Sequence, residues 1–202
     1  VPNLSFRAAD GTRLAGYRWG HGHTAVVLAH EIRGGACQWA DYGPKLAALG
    51  YTALAFDFRN YGASEVRHYP ANQRWGGDVA AAAKEVRRLG ATKVFLLGAS
   101  LGGSAVVDAG ANIRPQVDGV ISVSGAADLA NAIAAAPHLR APVLFLAGAG
   151  DTDFARDAHR LYAAAGSHDK TLKIVASGAH GVLLVGGSPA VRKLIAAFIA
   201  SH

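Results

Sequence analysis

The stretch VFLLGASLGG, residues 94–103, decides the fold, because it sets one serine among crowded glycines directly after an apolar run. Val94–Leu97 has the length and composition of a buried strand, and the following LGGSAVVDAG, residues 101–110, is compatible with a helix. A glycine-rich turn between strand and helix can cradle a phosphate or raise a nucleophile. Gly98, Gly102 and Gly103 do not give G-x-G-x-x-G, and no Lys-Ser or Lys-Thr follows, so the phosphate reading falls away. Gly98-Ala99-Ser100-Leu101-Gly102 does give G-x-S-x-G, in which the serine hydroxyl is lifted above the sheet edge and the glycines let strand and helix approach. A plain turn serine is the alternative, and the strand–turn–helix setting favours the nucleophile.

Working outward, short apolar runs recur at 25–29, 52–56, 93–97, 117–123, 143–147 and 171–175, each followed by turn residues and a helix-like segment. Continuous apolar runs predict strands covered on both faces. Before them, LSFRAADGTRLAGYRWG alternates and predicts a hairpin joined tightly at Asp10-Gly11. Helix ends are expected at Asn72 and Gly90, at Asp41 and Gly50, and at Ser188-Pro189, with a short helix around Asp128–Ala136. The expectation is one α/β domain over residues 1–202, a mostly parallel central sheet with helices on both faces and an N-terminal hairpin. The segment between 123 and 143 is too short for a lid or cap domain.

A serine hydroxyl needs a base to take its proton and an acid to orient that base. His180 in SGAHG follows the LKIV strand and falls at the C-terminal edge of the sheet, where Ser100 also falls. His21 and His23 lie at the opposite edge; His138, His159, His168 and His202 show no paired acid and read as surface. Asp151, just past the strand in VLFLAGAGDTDF, is the expected acid, with Asp153 starting the next helix. Asp128 is a second candidate acid and reads better as a helix cap.

The order Ser100, Asp151, His180, each just past a strand, resembles the α/β-hydrolase superfamily over nearly the whole chain. The resemblance implies Ser100 as nucleophile, His180 as general base and then acid, and Asp151 as orienting carboxylate, with no metal or organic cofactor. DFRNYGAS, residues 57–64, resembles the D-x-R-G-x-G-x-S segment of these enzymes, with Asn60 where glycine is usual, and reads as scaffold. The oxyanion donors are expected from the amides of Leu101 and Ile32. Where many relatives carry His-Gly, this chain has His30-Glu31, which is similar to the Glu-Ile pair of the dienelactone hydrolase group, whose nucleophile is cysteine. That similarity implies a contact from Glu31 to Ser100; the competing reading has Glu31 holding loop backbone or pairing with Arg33 or Arg59. Arg33 is a further candidate neighbour of the site, for an acidic substrate group.

Composition narrows the rest. A chain of 202 residues with 51% hydrophobic and 17% charged residues is globular, and no apolar run is long enough to cross a bilayer. The net charge of +6 is scattered, with KEVRR at 84–88 the densest spot, so a solvated helix face is expected rather than a nucleic-acid surface. Cys37 is the single cysteine, expected as a small buried or half-buried thiol. Starting at Val1 with no methionine, the sequence reads as a processed or trimmed chain, with no signal peptide visible. The expected activity is hydrolysis of a small-molecule carboxylic ester with a short or medium acyl chain. Thioester, aminoacyl-peptide or dienelactone-type hydrolysis, and a catalytically silent binding module of the same fold, are the alternatives.

Overall fold

A computed structural model describes residues 2–68 and 73–202. Its eight strands are β1 (Leu4–Arg7), β2 (Arg13–Trp19), β3 (Thr24–Ala29), β4 (Thr52–Phe56), β5 (Lys93–Ala99), β6 (Gly119–Val123), β7 (Val143–Gly148) and β8 (Lys170–Val175). They form one sheet in the order β1-β2-β4-β3-β5-β6-β7-β8, in which only β1–β2 and β2–β4 pair antiparallel. Helices α1 (Gly43–Ala48), α2 (Trp75–Arg88), α3 (Leu101–Asn112), α4 (Ala132–Ala135), α5 (Thr152–Ala164), α6 (Gly181–Gly187) and α7 (Pro189–Ser201) make the connections.

The continuous apolar runs split strictly by strand periodicity into two cores. In β3, Ala25, Val27 and Ala29 face the core shared by α2, α3 and α5. Val26 and Leu28 face the other way, with Trp39, Leu46 of α1 and Phe198 of α7. This is a sheet covered by helices on both faces, the arrangement the resemblance implies, and no cap domain interrupts the described residues between β6 and β7, where only α4 and a 3₁₀ turn at Ala136–His138 intervene. No single helix among the described residues is long and apolar enough to cross a membrane.

Several local expectations change. The first hairpin closes through residues 8–12 with Ala8 N bonded to Thr12 O, and only Gly11 takes a positive φ, of 83°. Asp10 instead accepts from the amide and hydroxyl of Thr12, which holds the loop without a left-handed Asp. α1 is capped at Tyr42 rather than Asp41, because Pro44 opens the helix there. The predicted Asn72 cap lies outside the described residues. Ser188 does cap α7, its hydroxyl accepting from Val191 N at 3.2 Å. β8 is an edge strand and only half-buried, so its apolar run is not covered on both faces. α4 starts later than expected because Asp128 is drawn to Arg160, at 2.7 Å, and caps nothing. Cys37 is exposed on a 3₁₀ turn, since Ala36 and Trp39 take the inward positions. His202 does have an acid partner, Asp169, at 3.0 Å.

The DFRNYGAS segment braces the loops above the sheet. Asp57 accepts from Ala36 N and Ala63 N, tying the loop after β3 to the loop after β4. Buried Arg59 pairs with Asp78 of α2 at 2.6 Å and with Asp10 at 2.8 Å. Burial raises the Asp78 carboxyl above its ordinary range in spite of that guanidinium; for Asp10, the bonds from Thr12 and Arg59 outweigh burial and hold the carboxyl well below it. Asn60 stands at φ 67°, a left-handed site that asparagine tolerates in place of glycine, and its side-chain oxygen accepts from Arg67 N.

Candidate active site

All parallel strands end at one edge, and every expected site residue follows such an end. Ser100 joins β5 to α3 at φ 52° and ψ −116°, a strained position for a residue with a side chain. Its amide donates to Val123 O at 2.9 Å, and Gly102 N donates to His30 O at 3.1 Å, so β6 and the loop after β3 over-determine the turn. The flanking glycines are required by contact. A Cβ at Gly98 would lie 2.1 Å from Gly102 O, and one at Gly102 would lie 2.2 Å from Ala29 O.

Asp151 begins α5 without capping it; its carboxylate turns across the edge instead and takes His180 Nδ1 at 2.8 Å. Gly150 N donates to Ser177 O at 2.9 Å, pulling the loops after β7 and β8 together. Because a carboxylate only accepts, Nδ1 carries the proton and Nε2 is left as the acceptor. The ring of Phe154, one turn into α5, lies 4.2 Å from the imidazole centroid. Gly181 donates to Ser124 Oγ at 3.1 Å and comes close to Ala99, which sets His180 beside the elbow. Among the described residues no hydrogen bond joins Ser100 Oγ to His180. Asp128 bonds Arg160 rather than any histidine.

The loop after β3 carries a second constellation. Fully buried His30 donates from Nδ1 to Glu31 O at 2.7 Å and accepts at Nε2 from Phe58 N at 3.0 Å. Burial pushes its imidazole below the ordinary 6.5, so it sits there neutral. Glu31 Oε1 accepts from Val182 N at 2.7 Å and Oε2 from Gln38 Nε2 at 3.1 Å. Its carboxylate therefore holds the Val182 backbone and the Gln38 side chain; among the described residues it has no hydrogen bond to Arg33, Arg59 or Ser100. The amides of Ile32 and Leu101 enter no hydrogen bond among the described residues, the first on an exposed loop and the second at the start of α3. Arg33 is exposed, at φ 59°, and lines a cavity of about 620 Å³ with Tyr17, Cys37 and Asp57, whose lining includes none of Ser100, Asp151 and His180.

Sequence reasoning gave no role to His30, Gly181 or Phe154. Phe154, three residues past Asp151 on a helix, carried a signal in its spacing; His30 and Gly181 carried none short of knowing which loops meet.

A sequence comparison with curated proteins finds no match. Among solved structures the fold is similar to an esterase from Pyrococcus furiosus, with TM-score 0.83 and 15% identity over 98% of this chain and 91% of that one. It is similar to the enol-lactonase from Burkholderia xenovorans LB400, with TM-score 0.79 and 17% identity over 98% and 100% of the two chains. A monoacylglycerol lipase from Paleococcus ferrophilus superposes with TM-score 0.76 and 18% identity over 94% and 99%. The profile of the family described as serine aminopeptidase, S33, matches residues 20–135. That match spans more than half of the sequence, and the chain belongs to this family of α/β-hydrolases.

Proposed function

We propose that the protein is a serine hydrolase that cleaves carboxylic esters with short or medium acyl chains through an acyl-enzyme. The observation that carries the reading is the Asp151–His180 bond, 2.8 Å long, formed at the same sheet edge as the strained Ser100 elbow. In the reaction, Ser100 Oγ bonds to the ester carbonyl carbon while His180 Nε2 takes its proton. The carbonyl π pair moves onto oxygen, where the amides of Leu101 and Ile32 receive it. Collapse expels the alkoxide, which leaves with the proton from His180. Water then repeats the sequence against the acyl-enzyme and releases the carboxylate, with Asp151 holding the imidazole in its Nδ1–H tautomer throughout. Hydrogen bonds between nucleophile and base commonly tighten only in the substrate complex, so the missing Ser100–His180 bond is compatible with this chemistry.

The short or medium chain length is supported by the 31% exposure of the imidazole side chain, with only α4 and a 3₁₀ turn between β6 and β7 among the described residues. The family match favours a second reading, an aminoacyl peptidase, in which the same steps expel an amine. A panel of p-nitrophenyl esters of increasing chain length, thioesters and aminoacyl anilides separates the two. The ester reading expects turnover highest on short or medium esters and lost in Ser100→Ala and His180→Ala; faster turnover of the anilides would replace it with the peptidase.

A further inference from the structure

Every polar group of Glu31 is engaged, and by three different parts of the chain. Its carbonyl receives His30 Nδ1 at 2.7 Å and Gly34 N at 3.1 Å. Its amide donates to Gln38 Oε1 at 3.0 Å while Oε2 accepts from the same side chain at 3.1 Å. Oε1 reaches out of the loop to Val182 N at 2.7 Å, across 151 residues of sequence. The partner loop is shaped to receive it, because Gly181 stands at φ 50° and a Cβ there would lie 1.9 Å from Glu31 Oε1.

The placement of these bonds matters for the chemistry. Ile32, the next residue, shares a peptide unit with the doubly held Glu31 carbonyl, so fixing that oxygen aims the Ile32 N–H the opposite way. Val182 is two residues from His180, at the start of a helix only seven residues long. We propose that Glu31 is a positioning residue, a strut that holds the loop of the Ile32 amide at a fixed distance from the loop of the His180 imidazole. A carboxylate is suited to this, since its bond to a backbone amide is charge-assisted and stronger than a neutral one. Without it, the histidine loop is still tied to Asp151, to Ser124 and, through Ser177, to Gly150, but among the described residues no hydrogen bond joins it to the loop of Ile32. The inference rests on the serine-hydrolase reading above, and it differs from a contact of Glu31 with the nucleophile, because both carboxylate oxygens are taken elsewhere.

The test compares wild type, Glu31→Ala and Glu31→Gln of the full chain, by steady-state hydrolysis of p-nitrophenyl butyrate and by amide hydrogen exchange of the segment 180–185. Because a displacement near 1 Å is worth about 10²-fold in rate, Glu31→Ala is expected to lose kcat by about that factor with KM within about threefold. Exchange at Val182 should accelerate. Glu31→Gln keeps an acceptor oxygen for Val182 N and is expected to recover most of kcat and of the protection. Unchanged exchange in Glu31→Ala, a loss confined to KM, or Glu31→Gln as impaired as Glu31→Ala would overturn the strut. If wild type hydrolyses no faster than Ser100→Ala, the serine-hydrolase reading fails instead, and the exchange comparison then judges the strut alone.

Discussion

Asp151 meets His180 across the ends of neighbouring parallel strands, Oδ2 to Nδ1 at 2.8 Å, 29 positions apart in the sequence. The bond leaves Nε2 as the free imidazole nitrogen, the one that the proposed mechanism uses as base. Asp151→Asn preserves size but no longer imposes that tautomer, so kcat is expected to fall by roughly 10²- to 10⁴-fold while the protein stays folded. Steady-state kinetics beside a thermal melt checks both halves.

The elbow makes a prediction about packing. Gly98→Ala puts a methyl 2.1 Å from Gly102 O, backbone against backbone with no flexible side chain to yield. The expected loss of stability is about 1–3 kcal/mol or more. Gly178→Ala has nothing within 4 Å of its new methyl, and its stability is expected to stay within about 0.5 kcal/mol of wild type. Urea unfolding of both variants is the measurement, and equal losses would contradict the account of the motif.

Arg59 and Asp78 are both buried and bonded through three polar contacts between their side chains. Arg59→Met strips the buried Asp78 carboxylate of the guanidinium that pairs it, which is expected to cost about 3–5 kcal/mol. Arg59→Met combined with Asp78→Leu removes both charges and should be less destabilised than Arg59→Met alone. A double-mutant cycle by chemical denaturation measures the difference.

His30 predicts a pH dependence. Phe58 N–H points at its Nε2, so the native state resists a proton there, and burial holds the imidazole below 6.5. The unfolded chain takes that proton up as pH falls past its ordinary value, whereas the native chain does so only at lower pH. Stability from this group is therefore complete above about pH 6.5 and declines on acidification until the native imidazole also titrates. His30→Gln has no proton to gain, so its stability difference between about pH 7.5 and about pH 5.5 should be smaller than that of wild type, as read by urea midpoints.

The centre of the sheet was legible because its strand runs, such as Ala25–Ala29 and Val94–Leu97, are apolar on both faces and so announce burial without tertiary knowledge, whereas the run of β8 is only half-buried at the sheet edge. The order Ser100, Asp151, His180 was legible because each residue follows a strand end, and parallel strands end at one edge. Boundaries governed by side-chain competition were not. Asp128 reads as a cap until Arg160 of α5 is brought beside it, and Asp41 reads as a cap until Pro44 fixes the first turn one residue later. The bond from Glu31 to Val182 joins positions 151 residues apart, which no local pattern encodes. Asn60 reads in the sequence as a departure from glycine, and the left-handed backbone that permits asparagine there is a property of the folded loop.

The most direct measurement of the central claim is covalent labelling by a fluorophosphonate, with the modified residue located by mass spectrometry. The account predicts one adduct, on Ser100, formed rapidly by wild type, slowly by His180→Ala and not at all by Ser100→Ala. A folded wild-type protein that takes up no label, or one labelled at another residue, would contradict it.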